Sequence, residues 1–506
     1  MILSRYTLKN ITNNSVVIPG EEMFELPEKV LQFGTGVLLR GLPDYFIDKA
    51  NRQGIFNGRI VVVKSTTKGE TSTFEKQDGL YTLCVRGIEN GERVEENIIN
   101  SSISRVLCAS KEWEQVLECA HNTHLQVIIS NTTEVGIQLT NDDIRHHPPK
   151  SYPGKLLGFL YERFKAFGGS EHSGMVIVPT ELITDNGTKL EAIVLELAHL
   201  NGLEDSFIEW LENSNYFCNS LVDRIVPGKP DEAMQKEIAE TLGYNDNLLI
   251  MSEVYRLWAI EGNEHVKNTL SFAQADDGVV IAENIDMYRE LKLRMLNGTH
   301  TFTCGTAFLA GCDAVKEAMD DAAISSYISE LMQYEIAPAI PYSVDLTVAQ
   351  EFGYKVLERF RNPHINHQWI SITVNYSSKM KMRCIPVLEK HYENNDSVPE
   401  LMALGFAAYL YFMKAVTKRD GKFYGERNGQ EYLIQDDQAE VFYKRWAGLS
   451  TASLVQEVLR DNAFWNANLN GLPGFKQAVI DKLNQIINYG VKEAIEGIPS
   501  KKEVAA

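Results

Sequence analysis

Three residue types that together can deliver a proton to a carbonyl stand in one stretch, Lys292-Leu293-Arg294-Met295-Leu296-Asn297-Gly298-Thr299-His300. At about 100° per residue, an α-helix spreads Lys292, Asn297 and His300 over about 140° of arc, so all three can project toward one cleft. A lysine partly withdrawn from water has its pKa lowered toward neutrality and serves as acid or base. An amide and an imidazole beside it suit an oxygen that gains charge as hydride arrives. A solvated lysine and a satisfied core histidine fit the same residues, and their types alone leave both readings open.

A second chemistry is written in Gly34-Thr35-Gly36, which follows the apolar run Val30-Leu31-Gln32-Phe33. Glycines at a strand-to-helix junction let the backbone approach a pyrophosphate lying on the helix N-terminus. Leu39 occupies the place of the third glycine of the full fingerprint, so a plain tight turn also fits. After the second strand come Lys64-Ser65-Thr66-Thr67-Lys68, with no acid for a ribose 2′-hydroxyl; these residues do not choose NAD over NADP. Ser130-Asn131-Thr132-Thr133-Glu134 follows another strand and suits either cofactor contact or a helix N-cap. Asp185-Asn186-Gly187 by itself is a generic turn.

Holding such groups in place needs a scaffold. Val30–Phe33, an amphipathic segment over Val37–Ala50 and the β-branched run Arg59–Lys64 compose a βαβ unit. Leu125–Ser130 and Met175–Pro179 predict further strands, each after a helical pattern (Glu112–Ala120, Lys155–Phe167). Leu80–Arg86 and Arg93–Arg105 suggest an inserted meander, and residues 188–290 are mostly helical in pattern, including Leu190–Leu200, Ser206–Leu211 and Asn247–Ala259. From Ile285 onward strand signals thin out, and helical patterns cover Met287–Leu309, Ala322–Tyr334, Thr347–Phe360, Leu401–Thr417 and Phe475–Ala494. The expected fold is α/β: a Rossmann-like doubly wound sheet with insertions over residues 1–285, then a mainly α-helical domain over 286–506.

Composition narrows the function classes. The 506 residues hold 49 Lys plus Arg against 68 Asp plus Glu, a formal net charge of -19. That surface repels phosphate backbones and lacks a basic stripe, which argues against a nucleic-acid partner. No run approaches the ~18 apolar residues of a membrane span, and the polar start, Met1–Pro19, lacks the basic-then-apolar order of a secretion signal. Seven scattered cysteines, never spaced CxxC, suit reduced thiols and a cytoplasmic location. No metal-ligand spacing and no Cys/His nucleophile pair stand out.

Taken in order, Phe33-Gly34-Thr35-Gly36, Ser130–Glu134, Val222-Asp223-Arg224-Ile225-Val226-Pro227 and Lys292-x4-Asn297-x2-His300 resemble the long-chain polyol-specific dehydrogenases, the mannitol dehydrogenase family. The resemblance runs from about residue 28 to 495. Within the family, Ser130–Glu134, Arg359-Phe360-Arg361-Asn362-Pro363 and Gly425-Glu426-Arg427-Asn428-Gly429 are most similar to the branch acting on hexuronates. The resemblance implies a metal-independent, NAD-linked reduction of D-tagaturonate to D-altronate in hexuronate breakdown. It implies Lys292 as general acid/base, Asn297 and Asn186 on the reacting oxygen, and His300 on substrate hydroxyls. Cofactor contacts are implied at Phe33, Gly34, Thr35, Gly36, Asn131, Thr132, Thr133 and Glu134. Asp223 either tunes the lysine or pairs with a neighbouring cation.

Two departures stand out against the mannitol enzymes. Their acidic pair after the second strand is replaced by Thr66 and Thr67, and their late arginine by Ser371. A uronate carboxylate must also meet a cation, for which Arg361, His367 and Lys379 are candidates, each equally suited to an ordinary ion pair. Fructuronate reduction and mannitol-type polyol oxidation are the neighbouring expectations. A catalytically silent dinucleotide sensor is the expectation from another class, and the intact Lys292, Asn297 and His300 weigh against it. Composition does not speak to oligomeric state.

Overall fold

Strands β1 (Glu28–Phe33), β2 (Arg59–Lys64), β3 (Ile103–Cys108), β4 (Val127–Ser130), β5 (Val176–Pro179) and β6 (Tyr216–Phe217) form one sheet in the order β3-β2-β1-β4-β5-β6. Every neighbouring pair is parallel. The near-continuous apolar runs are what a sheet covered on both faces requires. Alternate residues feed two separate cores: Val30, Ile60, Val62, Val127 and Ile129 face one, while Leu31, Phe33, Val61, Val63 and Ile128 face the other. The strand order reverses between β1 and β4, the topological switch point at which open α/β sheets bind ligands.

The computed structural model describes residues 1–66, 71–132 and 136–499. It divides into two compact units, Met1–Gly87 with Arg93–Ile285, and Ile88–Glu92 with Asp286–Ala506.

In the first unit, the segment Val37–Ala50 is two helices rather than one, α1 (Val37–Gly41) and α2 (Pro43–Arg52). Pro43 forces the break, because the residue before a proline is pushed out of helical geometry, and Leu42 has φ −133° and ψ −77°. The inserted meander is a long hairpin, Tyr81–Glu89 and Glu92–Asn100, turned by Asn90-Gly91 with positive φ at both residues; its tip, Ile88–Glu92, is counted with the second unit. Asn247–Ala259 is not helical. Ile250–Glu253 pairs with the hairpin strand Tyr81–Glu89, and Leu257–Glu261 pairs with Ser220–Asp223 and Val279–Ala282. Those partners are distant in sequence, so local periodicity could not report them. Helix α3 (Asn186–Leu200) follows β5.

The second unit is mainly helical. Helix α4 (Asp286–Leu291), a π-helical stretch (Lys292–Gly298) and α5 (Thr299–Leu309) form one continuous rod. Two more π stretches, Leu331–Ile336 and Met380–Cys384, pack against the first. Helix α6 (Leu346–Phe360) follows. Helix α7 (Glu400–Phe412) is apolar nearly all round and correspondingly buried, between α5 and α8 (Phe475–Tyr489). Two expected helices end early. Leu401–Thr417 stops at Phe412, and Phe475–Ala494 breaks at Gly490. Residues 417–434 form a three-stranded antiparallel sheet, turned at Asp420-Gly421 and Asn428-Gly429.

Candidate active site

At the carboxyl edge of the sheet, Phe33 lies opposite Ser130, and Ser130 opposite Pro179. The chain leaves β1 through Gly34, whose φ of +133° strains any residue with a side chain. A Cβ there would lie 2.8 Å from Leu39 Cδ1 and 3.1 Å from the Asn131 carbonyl oxygen. Leu39, standing where the third glycine was looked for, fills the space against the turn. Thr35 is half-buried; Gly36 is exposed, N-caps α1, and would offer a Cβ no neighbour within 4 Å. No side chain caps the first turn of α1. Open space before uncapped amides fits a pyrophosphate, whose oxygens accept such N–H groups.

Asn131 and Thr132 are tied to the neighbouring strand end. Asn131 Nδ2 donates to the Thr180 carbonyl and hydroxyl at 3.1 and 3.0 Å. Thr132 gives its N–H (2.8 Å) and its hydroxyl (3.1 Å) to Glu181 Oε1. The next helix among the described residues starts at Tyr152, so the N-cap reading of this turn does not hold. Thr133 and Glu134 lie outside the described residues, as do Thr67 and Lys68. Glu181 was not among the expected contacts, although an acid two residues after an apolar strand was the available signal. It is buried, and burial raises its carboxyl pKa even though Ser130 and Thr132 donate to it. The Phe33 carbonyl accepts the Asn131 N–H at 3.2 Å, and its ring is fully buried 5.2 Å from Tyr152, which leaves only its backbone for a ligand.

Asn186 requires a correction. Its side chain is fully buried, and Nδ2 faces the carbonyls of Pro179, Glu181 and Ser220 at 3.0–3.1 Å. Its Oδ1 accepts the N–H groups of Gly187 and Ser220. Every hydrogen-bonding site of this amide is engaged in pinning α3 to two strand ends, and none is left for a reacting oxygen. Asp223 is buried at the end of Ser220–Asp223. The adjacent Arg224, also buried, donates to the carbonyls of Gly41 and Glu253 and stacks on Tyr45, so this motif ties the α1–α2 corner to the small sheet.

In the second unit, the π stretch changes the expected geometry. A π turn bonds residue i to i+5 and holds about 4.4 residues, so residues five apart are offset by only about 50° around the axis. Lys292 and Asn297 are five apart; the π stretch therefore brings onto one face two groups that an α-helix would separate by about 140°. Both are half-buried. Widened turns leave carbonyls poorly bonded, and side chains serve them here. The Thr301 hydroxyl donates to the Asn297 carbonyl at 2.7 Å, and Arg294 Nη1 donates to the carbonyls of Met382 (2.7 Å) and Arg383 (3.0 Å) in the facing π stretch.

His300 is buried, stacked on Phe360 with centroids 4.3 Å apart, and edge-on to His367 at 5.4 Å and Trp369 at 5.9 Å. Its Nε2 has no hydrogen-bond partner. Burial lowers its pKa well below the ordinary histidine value, and His367, Arg359, Arg383 and Lys379 add to that, so the imidazole is neutral at pH 7. Of the three expected cations, His367 and Lys379 are drawn to His300. Arg361 stands exposed as the C-cap of α6 and is not among the charges acting on it. Arg383 was missed, although its place four residues after Lys379 was the signal.

All seven cysteines are buried and unpaired. Among the described residues no group of three or more His, Cys, Asp or Glu gathers as a metal site, and no helix is long and apolar enough to cross a membrane.

A parallel sheet in this order with a glycine turn at its switch point, followed in the chain by a helical unit carrying Lys292, Asn297 and His300 on one rod, defines a dinucleotide-linked oxidoreductase. The chain belongs to the mannitol dehydrogenase family: residues 28–274 match the mannitol dehydrogenase Rossmann domain and residues 284–487 the mannitol dehydrogenase C-terminal domain. It is 38% identical over 477 residues to an altronate oxidoreductase of Bacillus subtilis, covering 93% of this chain and 95% of that one. Altronate oxidoreductases of Halalkalibacterium halodurans (37%; 94% of each chain) and Escherichia coli O7:K1 (35%; 93% of this chain and 97% of that one) are similar over comparable lengths. Among solved structures, the fold matches Pseudomonas fluorescens mannitol 2-dehydrogenase in complex with NAD and D-mannitol (TM-score 0.65, 21% identity, 98% and 99% coverage). It also matches a D-sorbitol dehydrogenase (TM-score 0.74, 20% identity, 98% and 100% coverage).

Proposed function

We propose that the protein reduces D-tagaturonate to D-altronate with NADH, reversibly. The substrate is supported by the likeness, across more than nine-tenths of both chains, to altronate oxidoreductases. The chemistry is supported above all by the π stretch that brings Lys292 and Asn297 toward one face.

Gly34, Thr35, Gly36, the first turn of α1, Asn131 and Thr132 would hold the dinucleotide. When bound, reduced nicotinamide supplies the hydride that adds to the ketone carbon. The Lys292 ammonium hands its proton to the ketone oxygen as the carbon–oxygen π bond opens, and solvent then reprotonates the lysine. The Asn297 amide donates to the same oxygen as it gains charge. Neutral His300 meets a substrate hydroxyl through Nε2, which also satisfies that buried atom. NAD rather than NADP is supported by Lys64, whose ammonium is spent on the Thr66 carbonyl and is thereby withdrawn from a 2′-phosphate.

Initial rates of NADH and NADPH oxidation with tagaturonate, fructuronate and fructose side by side test this reading. The expected outcome is a kcat/KM for tagaturonate and NADH at least tenfold above every other pair. Preference for fructuronate or fructose, or no turnover of any of them, would overturn it.

A further inference from the structure

The chain carries a net charge of -19, yet one patch of the second unit has collected cations without acids. Lys379 and Arg383 stand four residues apart on one helical run, Tyr376–Lys379 continuing into the π stretch Met380–Cys384. Like charges at this spacing repel. Each of the two lowers the proton affinity of its surroundings: Arg383 acts on Lys379, and both act on His300. His367 adds a third titratable nitrogen group, its pKa lowered by burial and by Lys379. Among the described residues no carboxylate forms a hydrogen bond or ion pair with Lys379, Arg383 or His367. Lys379 Nζ donates to the Ile372 carbonyl at 2.9 Å, and Arg383 Nη1 to the Thr301 hydroxyl at 3.3 Å. Beside them, two buried polar atoms lack partners, His300 Nε2 and Trp369 Nε1. Partly desolvated cations with no acid beside them form a place that an anion would complete, and the polar atoms next to them can meet the hydroxyls such a ligand carries.

We infer that Arg383, with Lys379, seats the carboxylate of the sugar-acid substrate, and that Arg383 is the residue by which the enzyme distinguishes a keto-uronate from a neutral ketose. This rests on the keto-uronate reading above. The connection to the reacting end is short. Arg383 donates to the Thr301 hydroxyl, which donates to the carbonyl of Asn297. A carboxylate held by Arg383 is thereby set at a fixed reach from the Asn297 amide. Arginine suits the task because its planar fork matches a carboxylate in two parallel bonds.

Calorimetry on the enzyme–NADH complex, with an unreactive aldonate and the alditol of the same configuration, tests the seat without turnover. The wild type is expected to bind the aldonate at least tenfold more tightly than the alditol. Arg383→Gln is expected to lose about 10- to 100-fold in aldonate affinity, the range of one charged hydrogen-bonding partner, with alditol affinity within threefold. Arg383→Lys should recover part of the loss. Equal losses for both ligands, no loss for either, or a wild type that does not prefer the aldonate would each overturn the inference. A KM for NADH that rises with the substitution would assign these cations to the cofactor and overturn it likewise. If aldonate binding depends on Arg383 while tagaturonate is not turned over, the seat stands and the proposed reaction fails.

Discussion

Replacing Arg294 by methionine tests whether the facing π stretches hold the proposed catalytic face in place. Arg294 is buried, its Nη1 serves the carbonyls of Met382 and Arg383, and its Nε lies 2.9 Å from Glu290 Oε2. Hydrogen bonds from a charged donor contribute about 1.5–3 kcal/mol each, so losing two at once costs about 3–6 kcal/mol of stability. The Glu290 pair adds to the loss, because both side chains are mostly buried and the substitution leaves that carboxylate without its partner. Methionine fills much of the volume, so the loss reports the polar contacts rather than a cavity. Loosening the Lys292–Asn297 turn against its support by about 1 Å should lower kcat about 10²-fold. The cofactor turn belongs to the other unit and should keep its NADH affinity. Arg294→Lys, a point charge able to reach one carbonyl, should recover about half of the stability. Urea unfolding curves and steady-state rates on the three proteins measure all of this. A methionine variant within 1 kcal/mol of wild type and within threefold in kcat would refute the positioning role.

Lys292→Ala should lower kcat by about 10³-fold or more and leave the Kd for NADH, read by fluorescence titration, within twofold, because the lost step is proton transfer. Gly34→Ala should raise the KM for NADH at least tenfold and cost about 1–3 kcal/mol in thermal unfolding, since the added methyl meets Leu39 and the Asn131 carbonyl at positive φ. Stability should fall on acidification through His300. Its folded pKa is depressed, so the unfolded chain takes up the proton first. The contribution is intact above about pH 6.5 and is lost below it by at most about 1.4 kcal/mol per pH unit. Urea midpoints at pH 7.5, 6.5 and 5.5 should show this slope in wild type and a shallower one in His300→Gln. Asn186→Ala should cost about 2–4 kcal/mol in the same unfolding assay; loss of kcat with stability unchanged would return this residue to the reacting oxygen.

Much of this protein is determined by residue order alone. The runs of β1, β2, β4 and β5 are short, apolar in the interior except for the buried Gln32, and punctuated by glycine or polar turns, which suits a parallel sheet buried on both faces. The glycine turn and the order of Lys292, Asn297 and His300 are local facts and needed no coordinates. Tertiary structure decided whatever depends on distant partners. Asn247–Ala259 became strand because its edges pair with Tyr81–Glu89 and Ser220–Asp223. Asn186 turned from a candidate donor into a pin because two strand ends surround its amide with carbonyls. The same reason governs the catalytic face. A sequence read at α-helical spacing cannot anticipate a π turn, since the wider turn is sustained by Arg294, Thr301 and the facing stretch Met380–Cys384, whose bonds arrive from other parts of the fold.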